Sequence, residues 1–240
     1  MHTVAALTIY HGDIGALKRW LGYYGDQLGR DNCYVLCVGD NRDLNDLAQG
    51  CSVIRLPPDA APTLEKKRGR IVNNLVAALL CYHAHVIVTD MDELVLVDPQ
   101  TGQGLRDYLV GVARGQVLTP LGLQQVGGAP PYHVQTRPEL SKPCVLSTPT
   151  ALSRDATLSR FERLNMPDDL YLLRVAPNGQ GAPDGSPPDQ KPVDQGFDFT
   201  AQRRQMHDSW AKMENSRYWH FQPLNQSPVQ LLPRRFHDLL

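Results

Sequence analysis

A doubly wound, mostly parallel α/β fold is the architecture this sequence predicts. Three observations carry it. Short apolar, β-branched runs occupy 4–10, 33–38, 51–56 and 85–89. Helical periodicity fills the intervals between them, giving a β-α-β-α-β-α-β alternation. Polar or acidic residues stand where three of the four runs end, at Tyr10-His11, Asp40-Asn41 and Asp90-Met91-Asp92-Glu93, and doubly wound sheets take their ligands beyond the carboxyl ends of the strands.

Val4 to Tyr10 reads as the first strand, and Gly12-Asp13-Ile14-Gly15 as the turn after it. Ile14, Leu17, Trp20, Leu21 and Tyr24 recur at helical spacing, and Gly29 with Asp31 closes that helix. Cys33 to Val38 is the second strand, with Cys33 and Cys37 on one face as core thiols. Leu44 to Ala48 is a short helix, and Cys51 to Leu56 a third strand that Pro57-Pro58 ends. Lys66 to Tyr82 is a helix with Ile71, Leu75, Ala78, Leu79 and Tyr82 on one face, and His85 to Thr89 is the fourth strand. Beyond residue 100 the pattern loosens. Leu105 to Val112 reads as a helix and Gln116 to Leu123 as a strand. Gly127 to Pro131 reads as a turn, and Cys144 to Ser147 and Leu170 to Val175 as strands. Residues 177–192, rich in Gly, Pro and Asp, read as a long flexible loop, and Thr200 to Tyr218 as a final helix. Residues 1–125 and 126–240 are expected to be two parts of one domain.

With 24 basic and 25 acidic residues in 240, the balance argues against a nucleic-acid surface. Five cysteines at 33, 37, 51, 81 and 144 make an odd count without a Cys-x-x-Cys pair, so neither a disulfide framework nor a zinc site is indicated. A reducing cytoplasm fits that usage. No signal peptide and no run of membrane-spanning length is seen, which leaves peripheral membrane association open. The eight histidines lack metal-ligand spacing, and Trp210 and Trp219 read as packing residues.

The most informative stretch is Asp90-Met91-Asp92-Glu93, between His85-Val86-Ile87-Val88-Thr89 and Leu94-Val95-Leu96-Val97. Three carboxylates stand where one buried strand hands over to another. An unpaired buried charge is costly, so a metal ion or a bound cation is the natural reason for the cluster. Asp90 and Asp92 are two apart and share a face, and hard oxygen ligands at that spacing suit Mg²⁺ or Mn²⁺ held against a phosphate. The rival role is structural, because Asp at a strand end also satisfies backbone donors. Asp40-Asn41 also fits a turn pair, Arg70 and Asn73 an exposed helix face, and Asp155 a helix N-cap.

These residues resemble a family. Ala6-Leu7-Thr8-Ile9-Tyr10, the helix through Leu17 to Tyr24, Cys33 to Asn41, and the strand ending in Asp90-Met91-Asp92-Glu93 are similar to bacterial glycosyltransferases of the GT-A fold, of the family 2-like kind. The resemblance covers residues 4–100, is thinner from Lys142-Pro143 to Leu173, and returns weakly at Phe197-Asp198-Phe199 with Arg203. It implies a three-layer α/β/α fold around a central mixed, mostly parallel sheet. It also implies a nucleoside diphosphate sugar donor, a glycan or lipid-linked acceptor, and a role in surface polysaccharide. On it, Thr8, Tyr10, His11, Asp40, Arg70, Asn73 and Asp90 would contact the donor, Asp90 and Asp92 would hold Mn²⁺ or Mg²⁺, and Asp155 and Arg174 would serve catalysis. The metal would neutralise the leaving diphosphate.

The chain departs from the family at two places. Arg154-Asp155-Ala156-Thr157 stands where relatives carry a Gly-x-His element, and Arg174 stands where they carry a histidine in a Leu-x-His-Leu strand. Arg174 would then supply charge to the diphosphate, or pair with Asp168 or Asp169. A degenerate domain that binds a nucleotide sugar or a protein partner without turnover is the alternative the missing histidines motivate. A haloacid-dehalogenase-like phosphatase also places Asp-x-Asp after a strand, but needs a small hydroxyl residue where Leu94 stands.

Overall fold

The computed structural model describes residues 3–39, 41, 43–58, 61–126, 133–137, 140–150, 165–176, 199–213 and 229–239. In chain order the first half runs β1 (Val4–Ile9), α1 (Ile14–Leu28), β2 (Cys33–Val38), α2 (Asp43–Leu47), β3 (Ser52–Leu56), α3 (Ala61–Leu79), β4 (His85–Val88) and β5 (Glu93–Val97). The remainder is α4 (Leu105–Gly111), β6 (Val117–Leu118), β7 (Leu121–Gln125), β8 (His133–Thr136), β9 (Val145–Leu146), β10 (Leu170–Arg174), α5 (Thr200–Met213) and β11 (Gln230–Leu231).

β1 is buried along its whole length because it is a central parallel strand. It pairs in parallel with β2 on one side and β4 on the other, as the alternation predicts. The six-stranded sheet runs β3-β2-β1-β4-β9-β6, and β9 and β6 add in antiparallel sense. A single central sheet was the expectation, and here the structure differs. β5 leaves the first sheet and edges a second, five-stranded one, β11-β8-β7-β10-β5, in which only β10 and β7 run parallel. Asp90 to Asp92 is therefore the crossing between two mixed sheets.

α1 holds the two sheets together. Asp13 caps it, its carboxylate accepting from Ala16 N at 2.9 Å. Leu17, Trp20, Leu21, Tyr24 and Leu28 form its buried stripe. Trp20 Nε1 donates to Thr89 Oγ1 at 2.9 Å, just beyond β4. Tyr23 OH donates to Val95 O at 2.6 Å, and Tyr24 OH accepts from Val95 N at 2.9 Å, so the two phenols satisfy backbone groups of β5 on its open edge. Burial pushes both phenols far above the ordinary tyrosine range, so they stay neutral hydrogen-bonding groups. Gly29 ends the helix at φ 92°, a conformation that L side chains rarely adopt.

Other boundaries move for identifiable reasons. The strand expected over Gln116 to Leu123 is two strands, because Pro120 has no N–H to give a ladder. α3 begins at Ala61, earlier than Lys66, since Pro62 is tolerated in a first turn, and it ends at Leu79. His83 is structural: its ring nitrogens meet Thr3 Oγ1 at 2.9 Å and Tyr34 OH at 3.0 Å. The turn at 127–131, the loop at 177–192 and Trp219 lie outside the described residues, as does the Trp210 side chain. No helix among the described residues is long and apolar enough to cross a membrane.

Candidate functional site

The crossing between the sheets carries the acidic cluster. Asp90, Asp92 and Glu93 offer carboxylate oxygens that all lie within 4.8 Å of one another. Glu93, the first residue of β5, is fully buried, while Asp90 and Asp92 are partly exposed. Glu93 Oε2 also accepts from Asp90 N at 3.1 Å, which tightens the turn.

Strand register brings two cations to this turn. β9 runs antiparallel to β4, and Val88 N donates to Cys144 O at 2.8 Å, so continuing that ladder sets Lys142 opposite Asp90. Lys142 Nζ lies 2.6 Å from Glu93 Oε2 and 3.3 Å from Asp90 Oδ2. β10 runs antiparallel to β5 with Arg174 opposite Glu93. Arg174 Nη2 donates to Glu93 Oε1 at 2.8 Å, and its Nε lies 3.5 Å from Asp92 Oδ2. A third cation comes from α3, where Arg68 Nη2 donates to Asp90 Oδ1 at 2.9 Å. Three of the chain's own cations thus pair with the acidic cluster.

Charge in the cluster is unevenly matched. Burial pushes the Asp90 carboxyl up, but Lys142 and Arg68 outweigh it and hold the group below the usual range. Asp92 goes the other way: burial raises it, Arg174 opposes, and the Glu93 and Asp90 carboxylates raise it further. Burial disfavours the charged ammonium of Lys142, and Glu93 and Asp90 reverse that, leaving it above the ordinary lysine range. Asp92 has one ion pair among the described residues, at 3.5 Å, where Asp90 and Glu93 each have two, so it is the least compensated of the three carboxylates. Carboxylate oxygens this close together could hold a divalent metal ion, and Asp92 is the donor most open to one.

A cleft of about 430 Å³ opens over the cluster. His11 and Asp13 after β1, Arg19 on α1, Arg68, Asp92 and Arg174 are among its lining residues, with Asp90 at the turn. Of the residues expected at the donor, His11 and Asp90 line this cleft, as do Asp92 and Arg174. Tyr10 is buried at the strand end, its N–H donating to Leu36 O at 2.8 Å. Thr8 is buried in β1, and its Oγ1 has no hydrogen-bond partner among the described residues. Arg70 is exposed, Asn73 partly so, and neither is among the lining residues. Arg68, two positions before Arg70 and so about 200° around the helix, faces the cleft instead. Asp40 and Asp155 lie outside the described residues. Arg174 pairs with Glu93 and Asp92, not with Asp168, which lies 3.6 Å from Arg203. Leu94 is core, without the hydroxyl that a phosphatase of the haloacid-dehalogenase type places there.

Sequence reasoning missed Lys142 and Arg68 as members of the cluster. Lys142-Pro143 stands out only as part of a family pattern, and Arg68 only as one residue of the basic run 66–70.

No family model matches the chain, and no curated protein matches it. Among solved structures, a cytidylyltransferase from Leptospira borgpetersenii serovar Hardjo-bovis aligns at 15% identity and a TM-score of 0.24, over 38% of this chain and 42% of its own. A mannose-1-phosphate geranyltransferase from Thermus thermophilus aligns at 11% identity and a TM-score of 0.31, over 72% of this chain and 57% of its own. The chain thus spans about half the length of these structures. Likeness at those scores assigns neither family nor activity.

Proposed function

We propose that this chain is a glycosyltransferase of GT-A type. It would move a sugar from a nucleoside diphosphate sugar to a glycan or lipid-linked acceptor, in the making of surface polysaccharide. The observation that carries the reading is the placement of Asp90 and Asp92 just beyond the carboxyl end of β4, under a cleft walled by Arg68 and Arg174. Ligands of doubly wound sheets sit at that end.

On this reading residues 1–125 carry the donor side, with His11 and Asp90 against the donor and Thr8, Tyr10, Asp40, Arg70 and Asn73 as its further proposed contacts. Residues 126–240 carry the acceptor side, with Asp155 as the proposed general base. Asp92, assisted by Asp90, would hold Mn²⁺ or Mg²⁺, and such an ion supplies Lewis-acid neutralisation of a leaving diphosphate. Arg174 orients Glu93 and Asp92 and presents a fixed positive charge to the cleft. Preorganised charge of that kind favours the departure of an anionic leaving group. Lys142 holds Glu93 and Asp90 in register, so the turn keeps its shape as the ligand enters.

A second reading has an observation of its own. Both Asp90 oxygens and both Glu93 oxygens already have a cationic partner within the chain. A domain so compensated suits binding of a nucleotide sugar without turnover. One screen separates the two. Thermal unfolding is followed with uridine, guanosine, cytidine and thymidine diphosphates, with and without Mn²⁺ or Mg²⁺, and donor hydrolysis is assayed alongside. A ligand of the native state raises the midpoint by mass action. A metal-dependent shift with sugar release supports the transferase, and a shift without release supports the binder. No shift with any nucleotide, in either metal condition, sinks both.

A further inference from the structure

We infer that Arg19 is the residue of this cleft that binds an anionic group, phosphate or diphosphate, on the incoming ligand. The inference rests on the reading of the cleft as a donor site and gives that site its anion anchor.

The first observation is charge balance. Asp90, Asp92 and Glu93 are matched by Arg68, Lys142 and Arg174, each of which lies within 4.0 Å of at least one of those carboxylates. Asp13, the remaining acid among the lining residues, is committed to the cap of α1. An anion entering this cleft meets cations that are already engaged. Arg19 is different. Among the described residues no carboxylate or carbonyl reaches its guanidinium. Its Nε is shielded from solvent without a hydrogen-bond partner, as is that of Arg174, but Arg174 is held by its ion pairs with Glu93 and Asp92. A guanidinium is always charged and presents donors in a fork that matches phosphate oxygens. Leaving one of those donors shielded and unbonded is unfavourable, and a ligand oxygen relieves it.

The second observation is position. Arg19 lies on the wall of the cleft and also on the wall of a second cavity of about 610 Å³. Gly22, Tyr23 and Asp26 continue along α1 at helical spacing and line that second cavity with Leu173 and Val175. Val175 is common to both walls. Arg19 therefore stands on the wall that the two cavities share. A diphosphate held there faces Asp92 and Arg174 on the cleft side and the second cavity on the other.

Inorganic pyrophosphate is the probe, titrated calorimetrically into the whole chain with EDTA present, so that only protein groups bind it. Nucleoside diphosphates and the bare nucleosides are run beside it. The variants are Arg19→Gln, Arg19→Lys and, as a control for net charge, Arg106→Gln on exposed helix surface. We expect Arg19→Gln to weaken pyrophosphate and nucleoside diphosphate by about tenfold or more, the scale of a lost charge-assisted hydrogen bond, and to leave nucleosides unaffected. Arg19→Lys keeps the charge but loses the fork, so it should recover part of the affinity and excludes misfolding as the cause. Arg106→Gln should match the parent. Equal pyrophosphate affinity in parent and Arg19→Gln overturns the inference, as does a parent that does not bind pyrophosphate at millimolar concentration. If pyrophosphate binding depends on Arg19 but no nucleotide binds, even when the titration is repeated with Mn²⁺ or Mg²⁺ in place of EDTA, Arg19 stands and the donor reading fails. If nucleotides bind the parent and Arg19→Gln alike, the donor reading stands and the inference fails.

Discussion

Lys142 Nζ sits 2.6 Å from Glu93 Oε2, and Glu93 is fully buried at the first position of β5. The ammonium reaches the same carboxylate cluster that a divalent ion would neutralise, from a segment fixed by the β4–β9 ladder. Its role is to make a buried glutamate tolerable, because the Coulomb gain inside the protein returns what desolvation takes away.

Removing the lysine alone leaves Glu93 with Arg174 as its only charged partner among the described residues. Lys142→Met should therefore lower unfolding stability by about 3–5 kcal/mol, the cost of breaking a buried pair. The double variant Lys142→Met/Glu93→Gln should regain at least half of that loss, since the stranded charge is gone. Urea denaturation of the three proteins checks this. Equal losses in single and double variants would show that Lys142 acts through packing alone. Mn²⁺ titration followed by electron paramagnetic resonance gives an independent measure, because Lys142→Met removes a competing cation from Asp90 and should tighten Mn²⁺ binding.

Asp92 predicts the opposite sign of stability change. Its carboxyl is held above the usual range by burial, with Glu93 and Asp90 adding to that against Arg174. A carboxylate whose folded pKa is raised costs stability when ionised. That cost is absent below the unfolded pKa, sets in as pH rises from the unfolded to the folded value, and is complete above it. In the absence of metal, Asp92→Asn should be as stable as the parent or more so at neutral pH, and the difference should vanish under acid conditions. Melting curves from about pH 3 to about pH 8 span that window and test the sign. A neutral-pH loss in Asp92→Asn contradicts it. The same variant should lose any Mn²⁺-dependent part of the nucleotide shift.

How far the sequence reveals this site depends on which contacts are local. The strand ahead of Asp90, the two-residue spacing to Asp92 and the helix of α1 are all written in short-range pattern. The pairing of Lys142 with Asp90 spans 52 residues and runs through β9, two residues long, which leaves no periodicity to read. Arg174 shows the same limit. Its strand is legible, but its partner is set by an antiparallel register with β5, so in sequence a neighbouring aspartate looks as suitable as Glu93. Arg68 and Arg70 sit in one basic run, and only the helical phase of α3 against the sheet selects between them. The split into two sheets is also tertiary. Nothing in Asp90-Met91-Asp92 states that the strand after it joins a different ladder.

Arg174 has two tasks, and one substitution separates them. Arg174→Ala should reduce transfer by about tenfold or more if the guanidinium stabilises the leaving group. It should also lower stability by about 2 kcal/mol, because a charged hydrogen bond to buried Glu93 is lost. Arg174→Lys keeps the charge beside Glu93 and should recover most of the stability. It should recover less of the turnover, since a lysine cannot bridge Glu93 and Asp92 as a fork. Rates and unfolding midpoints of both variants are measured together. Unchanged turnover in Arg174→Ala with a lowered midpoint would make the residue purely structural.

A glycine far from Asp90 in sequence packs against the segment that leads into Lys142. Gly122, in β7, donates its N–H to Ser141 Oγ at 2.7 Å. A Cβ at Gly122 would meet Arg137 O at 2.5 Å and Ser141 N at 2.6 Å, both backbone atoms that cannot turn aside. Arg137 and Ser141 thus pack directly on β7 at this point, and Lys142 is the next residue. Gly122→Ala should therefore push that segment outward and destabilise the protein by about 1–3 kcal/mol, the usual cost of overpacking a filled interior. It should also loosen the Lys142–Glu93 pair, so Mn²⁺ affinity should shift in the direction expected for Lys142→Met, by less. Ala84→Gly, at a buried position just before β4, is the control. It lowers stability without touching the segment, and Mn²⁺ affinity should then stay at the parent value. If Gly122→Ala lowers the midpoint but leaves Mn²⁺ affinity unchanged as well, packing on β7 does not govern where Lys142 sits.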